Sequence, residues 1–355
     1  MNSQTFVENY GRMNSKEKMN FLDNLIKETD ISYLPPLIEI CEKEKERALK
    51  EKILFIISNL ISEIDFEMFE RMLQSADPFV RNGAVELLKE NREKLYPLIE
   101  ELSKHSDKDV RKFAIDALVE DSSDDAAKIL GGALDDREIN IRITAIEYLG
   151  NAGATAYTEK IEKLLLSEEN VLLKCTALEA LAKIGHSPHA REIIDKFSEE
   201  NNPMIIFSFL KYLAAFGKDK ELQLIDKIIE RDESLFNREY IDAIEKIQTR
   251  AKIEKLPENV LKRLERIAEK TDNSPLKYEI MKLLNKVKEE DLTEVREKLK
   301  SEDEMEILSA VEILRDRGTA EDIELLEELA DRIESDEILE AIGDAVETIR
   351  EREAK

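Results

Sequence analysis

The chain has no tryptophan, and its 355 residues include three histidines, two cysteines, ten glycines and eight prolines. None of the histidines, His105, His186 and His189, is followed by glutamate, and no Ser-His-Asp or Cys-His set stands out, so catalytic and paired-ligand metal motifs are missing. No glycine-rich loop is present to cradle a phosphate. No apolar run approaches the roughly 18 residues of a membrane span, and no basic and apolar leader opens the chain, so a cytoplasmic location is expected. Alternating β-branched stretches long enough to specify a sheet are absent too. Glu, Lys, Leu, Ile and Ala dominate instead, which points to an all-α protein.

Positive charge is the remaining shortage. Lys and Arg number 54 against 80 Asp and Glu, for a formal net charge of -26. A groove that binds nucleic acid needs cations facing phosphates, so no nucleic-acid partner is expected, and an anionic membrane surface is disfavoured for the same reason.

What the chain does have is a repeated phrase. Asp77-Pro78-Phe79-Val80-Arg81-Asn82-Gly83-Ala84-Val85-Glu86-Leu87-Leu88 is followed by Asp107-Lys108-Asp109-Val110-Arg111-Lys112-Phe113-Ala114-Ile115-Asp116-Ala117-Leu118, then by Ile141-Arg142-Ile143-Thr144-Ala145-Ile146-Glu147-Tyr148-Leu149. Each pairs a small residue with a leucine four positions on, the inner face of a helix. A period near thirty residues signals stacked helix pairs, because one pair cannot bury its apolar face alone. The pairing extends to Ala177 with Leu181 and Phe209 with Leu213. Larger residues keep the interval at Leu22 with Ile26, Ile53 with Ile57 and Tyr240 with Ile244. After a longer gap it resumes at Ile280 with Leu284, Ala310 with Leu314 and Ala341 with Ala345. About eleven helix pairs result, eight within residues 1–250 and three within 251–355. The stretch Gln248 to Pro257 is read as an overlong helix end or connector between the two blocks.

Local signals agree. Asp77, Asn202 and Ser274 each precede a proline and read as N-caps of second helices. Gly153, Gly185 and Gly217 each stand four residues after the core leucine, where a left-handed cap is expected. Pro257 and the run Thr271-Asp272-Asn273-Ser274-Pro275 break the glycine-free segment further on. Cys41 lies among Leu37, Ile38 and Ile40 and reads as core, whereas Cys175 reads as partly exposed. Distant repeats do not touch, so no disulfide between them is expected. Residues 288–355 hold 25 acidic and 10 basic residues, net -15, which suits the polar end cap of a repeat array.

The phrase resembles the HEAT family, and its short interval resembles the HEAT-like subgroup named for phycobilisome lyases. Asp77, Pro78, Val80, Arg81, Ala84 and Leu88 carry the resemblance, with their counterparts Asp107, Val110, Arg111, Ala114 and Leu118, and then Arg142, Ala145 and Leu149. It is specific over about residues 75 to 220. It implies a right-handed α-solenoid of antiparallel helix pairs whose second helices line a concave groove, with macromolecule binding as the usual role and no implied reaction. DNA-binding glycosylases with such repeats need a basic groove and aromatic residues, which this chain lacks. Metal-dependent hydroxylases need paired His-Glu motifs, also absent.

Two ladders follow from this frame. Arg81, Arg111, Arg142 and Lys174 stand three residues before the core residue, where HEAT-like arrays place a cation that reaches a carboxylate of the same or adjacent repeat. Asp77, Asp107 and Glu138 stand four residues before the arginines, the spacing of a helical ion pair. The reading is a structural ladder that fixes stacking. Glu86, Asp116, Glu147 and Glu179 stand two residues after the core position, on the groove side, and make an acidic strip that ends at Lys211. Beside it Phe207 takes the groove-facing position of Asn82 and Lys112, and Phe55 is read likewise in the second repeat. Phe207 and Phe55 with the strip are the candidate site for a basic or amphipathic segment of a protein partner. The alternative is a bilin- or metal-handling enzyme, resting on the patch Phe207, Phe209, Tyr212 and Phe216 or on the loop His186-Ser187-Pro188-His189; no cofactor is assigned. Self-association through the apolar N-terminal helices, with Phe6, Phe21, Leu22 and Ile26, is a further expectation.

Overall fold

The computed structural model describes residues 3–26, 31–60, 65–230, 236–253, 255–271, 274–287 and 292–353. Among these there are 22 α-helices and no β-strand. They form two compact units, Met1–His189 and Ala190–Lys355, each a succession of antiparallel helix pairs. The second helices of the first unit are Ser15–Leu25, Arg47–Asn59, Pro78–Glu90, Lys108–Asp116, Ile139–Asn151 and Val171–Ile184. Those of the second unit are Pro203–Phe216, Asn237–Ala251, Ser274–Val287, Glu304–Arg317 and Asp336–Glu353. The division inferred from the repeat interval at 250/251 falls inside the second unit, just where Asn237–Ala251 ends. There Lys252 adopts a left-handed conformation and the buried Gln248 side chain reaches the Ile253 carbonyl at 3.4 Å, so the helix has a closed end within the expected connector. Asp272, Asn273 and Glu254, which belong to the expected breaks, lie outside the described residues.

The small-residue and leucine pairs form the core. Ala84 with Leu88, Ala114 with Leu118, Ala145 with Leu149 and Ala177 with Leu181 are all fully buried, as are Phe209 with Leu213 and Tyr240 with Ile244. Each buried leucine contributes roughly 1.5–3 kcal/mol of transfer free energy, and the small partner lets the neighbouring helix approach. The register slips at the two ends. Leu25 is buried where Ile26 was expected, and Ile342 with Ala345 where Ala341 was expected.

The predicted caps form at Asp77, whose carboxylate accepts the Phe79 N–H at 2.9 Å, and at Asn202, which accepts from Met204 at 3.0 Å. A helix also begins at Ser274. Gly153 and Gly185 are left-handed, with φ of 65° and 71°. Gly217 is not: its φ is -61°. Glycine serves there for space, since a Cβ would stand 2.6 Å from the Leu213 carbonyl oxygen and 2.8 Å from Ile247. Gly318 repeats the arrangement with the Leu314 carbonyl and Ile349. In both cases an arginine from the following second helix covers the exposed helix end: Arg250 donates to the Ala214 and Gly217 carbonyls, and Arg352 to those of Arg315, Asp316 and Gly318.

The N-terminal pair buries part of its apolar surface internally. Phe6 and Leu22 are buried, and the Phe6 ring packs on Phe21 at 5.2 Å and on Tyr33 at 5.4 Å. Phe21 and Ile26 are half-buried, so part of the apolar surface expected to serve self-association stays accessible. Cys41 is buried, Cys175 half-buried, and both are free thiols.

Candidate functional site

The cationic ladder runs between repeats at Arg111 and Arg142 and stays within its own repeat at Arg81 and Lys174. Arg111 does not pair with Asp107; its guanidinium grips the Asp136 carboxylate of the next repeat at 2.7 and 3.0 Å and donates to the carbonyls of His105 and Ser106. Arg142 likewise reaches Glu168 at 2.8 Å, and Lys50 reaches Asp77. Arg81 donates to the Ser75 carbonyl, and Lys174 pairs with Glu169 at 3.0 Å. The same-helix pairing inferred from the four-residue spacing is thus replaced. Asp77 and Asp107 spend an oxygen on the backbone N–H two residues on, which turns them into the helix end and away from the cation. Beside Arg111, the Asp136 carboxyl lies below the usual carboxylate range: burial opposes its charge, but the guanidinium and the Glu138 N–H outweigh it.

In the second unit, where the Asp-Pro and Val-Arg phrases are lost, ion pairs join successive first helices instead. Arg191 meets the buried Glu221 at 3.0 Å, Arg263 pairs with Asp226, and Arg296 grips Asp322 at 2.6 and 3.2 Å.

The acidic strip splits into committed and uncommitted members. Asp116 is held by Lys112 and accepts from the Tyr148 hydroxyl at 3.5 Å, and Glu179 is also engaged. Glu86 and Glu147 are exposed and make no ion pair or hydrogen bond with any described residue. Glu147 and Glu179 share a shallow hollow with Cys175, Thr176, Ala180 and Lys183, between the second helices Ile139–Asn151 and Val171–Ile184. Burial, together with the nearby Asp116 and Glu147 carboxylates, pushes the Tyr148 phenol up to about 12.

Phe55 is 53% exposed. It stands two residues after Ile53, so its register is that of Glu86 and differs from that of Phe207. With Leu54, Phe79, Gly83 and Leu87 it lines a hollow of about 460 Å³ between Arg47–Asn59 and Pro78–Glu90, rimmed by Glu86 and Glu90. The sequence pattern missed Leu54, Phe79 and Glu90. Phe79 stands in a variable slot of the repeat phrase, and no periodicity marks it. Phe207, in the other unit, is half-buried, with the Lys211 ammonium 4.3 Å from its ring centre.

Half of the aromatic patch that an enzyme reading would use is core, while Phe207 and Phe216 are half-buried. Phe209 and Tyr212 are fully buried, and Tyr212 packs on Phe216 at 4.6 Å. The histidine loop closes over a buried carboxylate: His189 Nδ1 and the Ser187 hydroxyl meet Glu162 at 2.7 and 2.5 Å. Among the described residues no group of three or more His, Cys, Asp or Glu is arranged to hold a metal ion, and no helix is long and apolar enough to cross a membrane.

The comparisons agree with this architecture. Residues 95–172 match the family of HEAT repeats. Two crystal structures of importin beta align over 98% and 92% of this chain, at TM-scores of 0.58 and 0.53 and sequence identities of 11% and 10%. A looser alignment, TM-score 0.43 and 12% identity over 95% of this chain and 48% of the other, is to Kap121p. The chain spans 60% and 53% of the two importin beta chains, so the likeness is one of fold. No curated protein matches the sequence significantly. The fold is that of an α-solenoid of helix pairs, and the HEAT-repeat match lies within residues 95–172.

Proposed function

We propose that this chain is a non-catalytic scaffold or adaptor of the cytoplasm that holds a basic or amphipathic segment of a protein partner against its second helices. The observation that carries the reading is the chemistry left uncommitted there. The charged residues between repeats are largely spent on one another. On the second helices, an exposed phenylalanine and the unpaired Glu86 and Glu147 border hollows between consecutive repeats. A net charge of -26 favours a cationic partner and opposes polyanions.

Affinity capture from the native cytoplasm tests it, comparing wild type with a Phe207→Ala, Glu147→Lys variant and identifying what is bound by mass spectrometry. A protein recovered stoichiometrically with wild type and lost with the variant is the expected result. Recovery of the chain alone would count against the reading, and recovery of the same partner with both proteins would move the contact away from Phe207 and Glu147.

A further inference from the structure

The geometry points to a specific docking position: the hollow between Arg47–Asn59 and Pro78–Glu90 receives an apolar side chain of a basic amphipathic helix belonging to another protein. This rests on the scaffold reading and deepens it, because it names the position and the chemistry of the contact.

Three observations lead there. The first is the lining: Leu54, Phe55, Phe79 and Leu87 supply apolar walls, and the volume of about 460 Å³ suits one or two side chains. Gly83 keeps the hollow open, since a Cβ at that position would collide with Leu54 and push it outward. The second is Phe55 itself. The residue is 53% exposed although apolar neighbours stand beside it, and covering such a ring is the contribution an anchor residue makes in an interface.

The third observation selects the occupant. Glu86 and Glu90 lie one helical turn apart on the rim, and neither forms an ion pair or hydrogen bond with any described residue. The Lys50 ammonium, 5.6 Å from the Phe79 ring centre, is already committed to Asp77. A neutral apolar helix would strip water from two carboxylates without compensation, at a cost that increases with their burial. An acidic segment, an anionic lipid or a second copy of this chain would add repulsion, given the net charge of -26. A helix with a leucine or phenylalanine anchor and Lys or Arg one turn apart satisfies both the hollow and its rim.

The experiment measures binding of three labelled synthetic peptides of about 20 residues. One is an amphipathic helix of Leu and Lys, the second has Glu for Lys, and the third has Ser for Leu. The full chain is compared with Phe55→Ala, with Glu86→Lys/Glu90→Lys, and with a Glu337→Lys/Glu340→Lys control that makes the same charge change on exposed sites of the last helix. The Leu-Lys peptide is expected to bind best, with affinity reduced about tenfold or more by Phe55→Ala and by the rim pair, and within about twofold of wild type in the control. Because Phe55, Glu86 and Glu90 are exposed, these variants fold, which circular dichroism verifies.

Equal binding of the Ser-Lys peptide would reduce the contact to general electrostatics and overturn the socket. So would unchanged affinity in Phe55→Ala, or no binding by wild type. A captured native partner that is lost in Phe207→Ala, Glu147→Lys but kept in Phe55→Ala and in Glu86→Lys/Glu90→Lys would overturn the socket while leaving the scaffold reading intact.

Discussion

Arg111 and Asp136 form a two-pronged ion pair, at 2.7 and 3.0 Å, between the second helix of one repeat and the loop that enters the second helix of the next. Arg111 is 5% exposed and also caps two carbonyls of its own loop, while Asp136 accepts the Glu138 N–H at 2.8 Å. Each partner is thus fixed to its own repeat before it meets the other. A pair held this way sets the distance and rotation between neighbours, which hydrophobic contact alone leaves soft.

Removing the cation should therefore be costly. Arg111→Met leaves Asp136 buried beside an apolar side chain and two carbonyls without their donor, and a loss of about 3 kcal/mol is expected. Arg111→Lys keeps the charge but not the fork and should fall between. Urea denaturation with hydrogen exchange over residues 105–145 checks both the size and the place of the effect. A variant as stable as wild type would mean that the pair is incidental.

Helix contact makes an opposite pair of predictions for two glycines. At Gly150 a Cβ would lie 2.6 Å from the Ala180 Cβ and 2.7 Å from its Cα, so Gly150→Ala must force two second helices apart, costing on the order of 1–3 kcal/mol. At Gly132, inside the helix Asp124–Ala133, a Cβ meets nothing within 4 Å, and Gly132→Ala should stabilise by about 0.5–1 kcal/mol through helix propensity. Thermal unfolding of the two variants should move the midpoint in opposite directions.

The parts of this molecule that repeat were legible, and those that depend on a single contact were not. Ala84 with Leu88 and its counterparts carry a period because every repeat must bury the same face. Their second helices could accordingly be counted from the sequence, the looser ones after Tyr240 included. Asp77 announced a cap because its chemistry is local. Pairing is a different matter: Arg111 stands four residues from Asp107 and 25 from Asp136, and proximity in sequence favoured the wrong carboxylate because it does not reveal that Asp107 is occupied by the Asp109 N–H. Gly217 was assigned a left-handed turn by position, yet its reason is the Ile247 side chain thirty residues on. In the candidate site, Glu86 is placed by its face and Phe55 is assigned a register that is not its own, whereas Phe79, Leu54 and Glu90 complete the hollow through the crossing of two helices, which no periodicity records.

The two thiols should differ sharply in reactivity. Cys41 is fully buried, and burial pushes its thiol up to about 12, so it is protonated and screened at neutral pH. Cys175 is half-buried beside the hollow shared by Glu147 and Glu179. A thiol-exchange reagent at mildly alkaline pH should label one cysteine per folded chain promptly and the second on unfolding, with peptide mapping placing the first label on Cys175. Prompt labelling of both would show that the repeat around Cys41 opens readily.

Acid sensitivity has an identifiable seat at Glu44. Burial opposes the charge on its carboxyl, but the Lys18 ammonium at 2.8 Å, the Glu46 and Lys45 N–H groups at 3.1 and 2.8 Å and the Tyr10 hydroxyl at 3.0 Å outweigh it and hold the group at about 2, below its ordinary 4.5. A carboxyl depressed in the folded state favours folding at any pH above its unfolded value. That contribution is lost as pH falls from about 4.5 towards 2, because the unfolded chain takes up the proton first. The contribution at neutral pH is at most about 3 kcal/mol. Glu44→Gln forgoes it at every pH, so wild type should be clearly more stable than the variant near pH 6.5, and the difference should shrink by about half or more near pH 3. Urea midpoints of the two proteins at both pH values give the comparison directly, and the general loss of carboxylate repulsion in acid, common to both, cancels from the difference. A gap that stays constant between the two pH values would place the acid-labile charge elsewhere, with Asp136 the next group to replace, since its carboxyl is also held low in the fold.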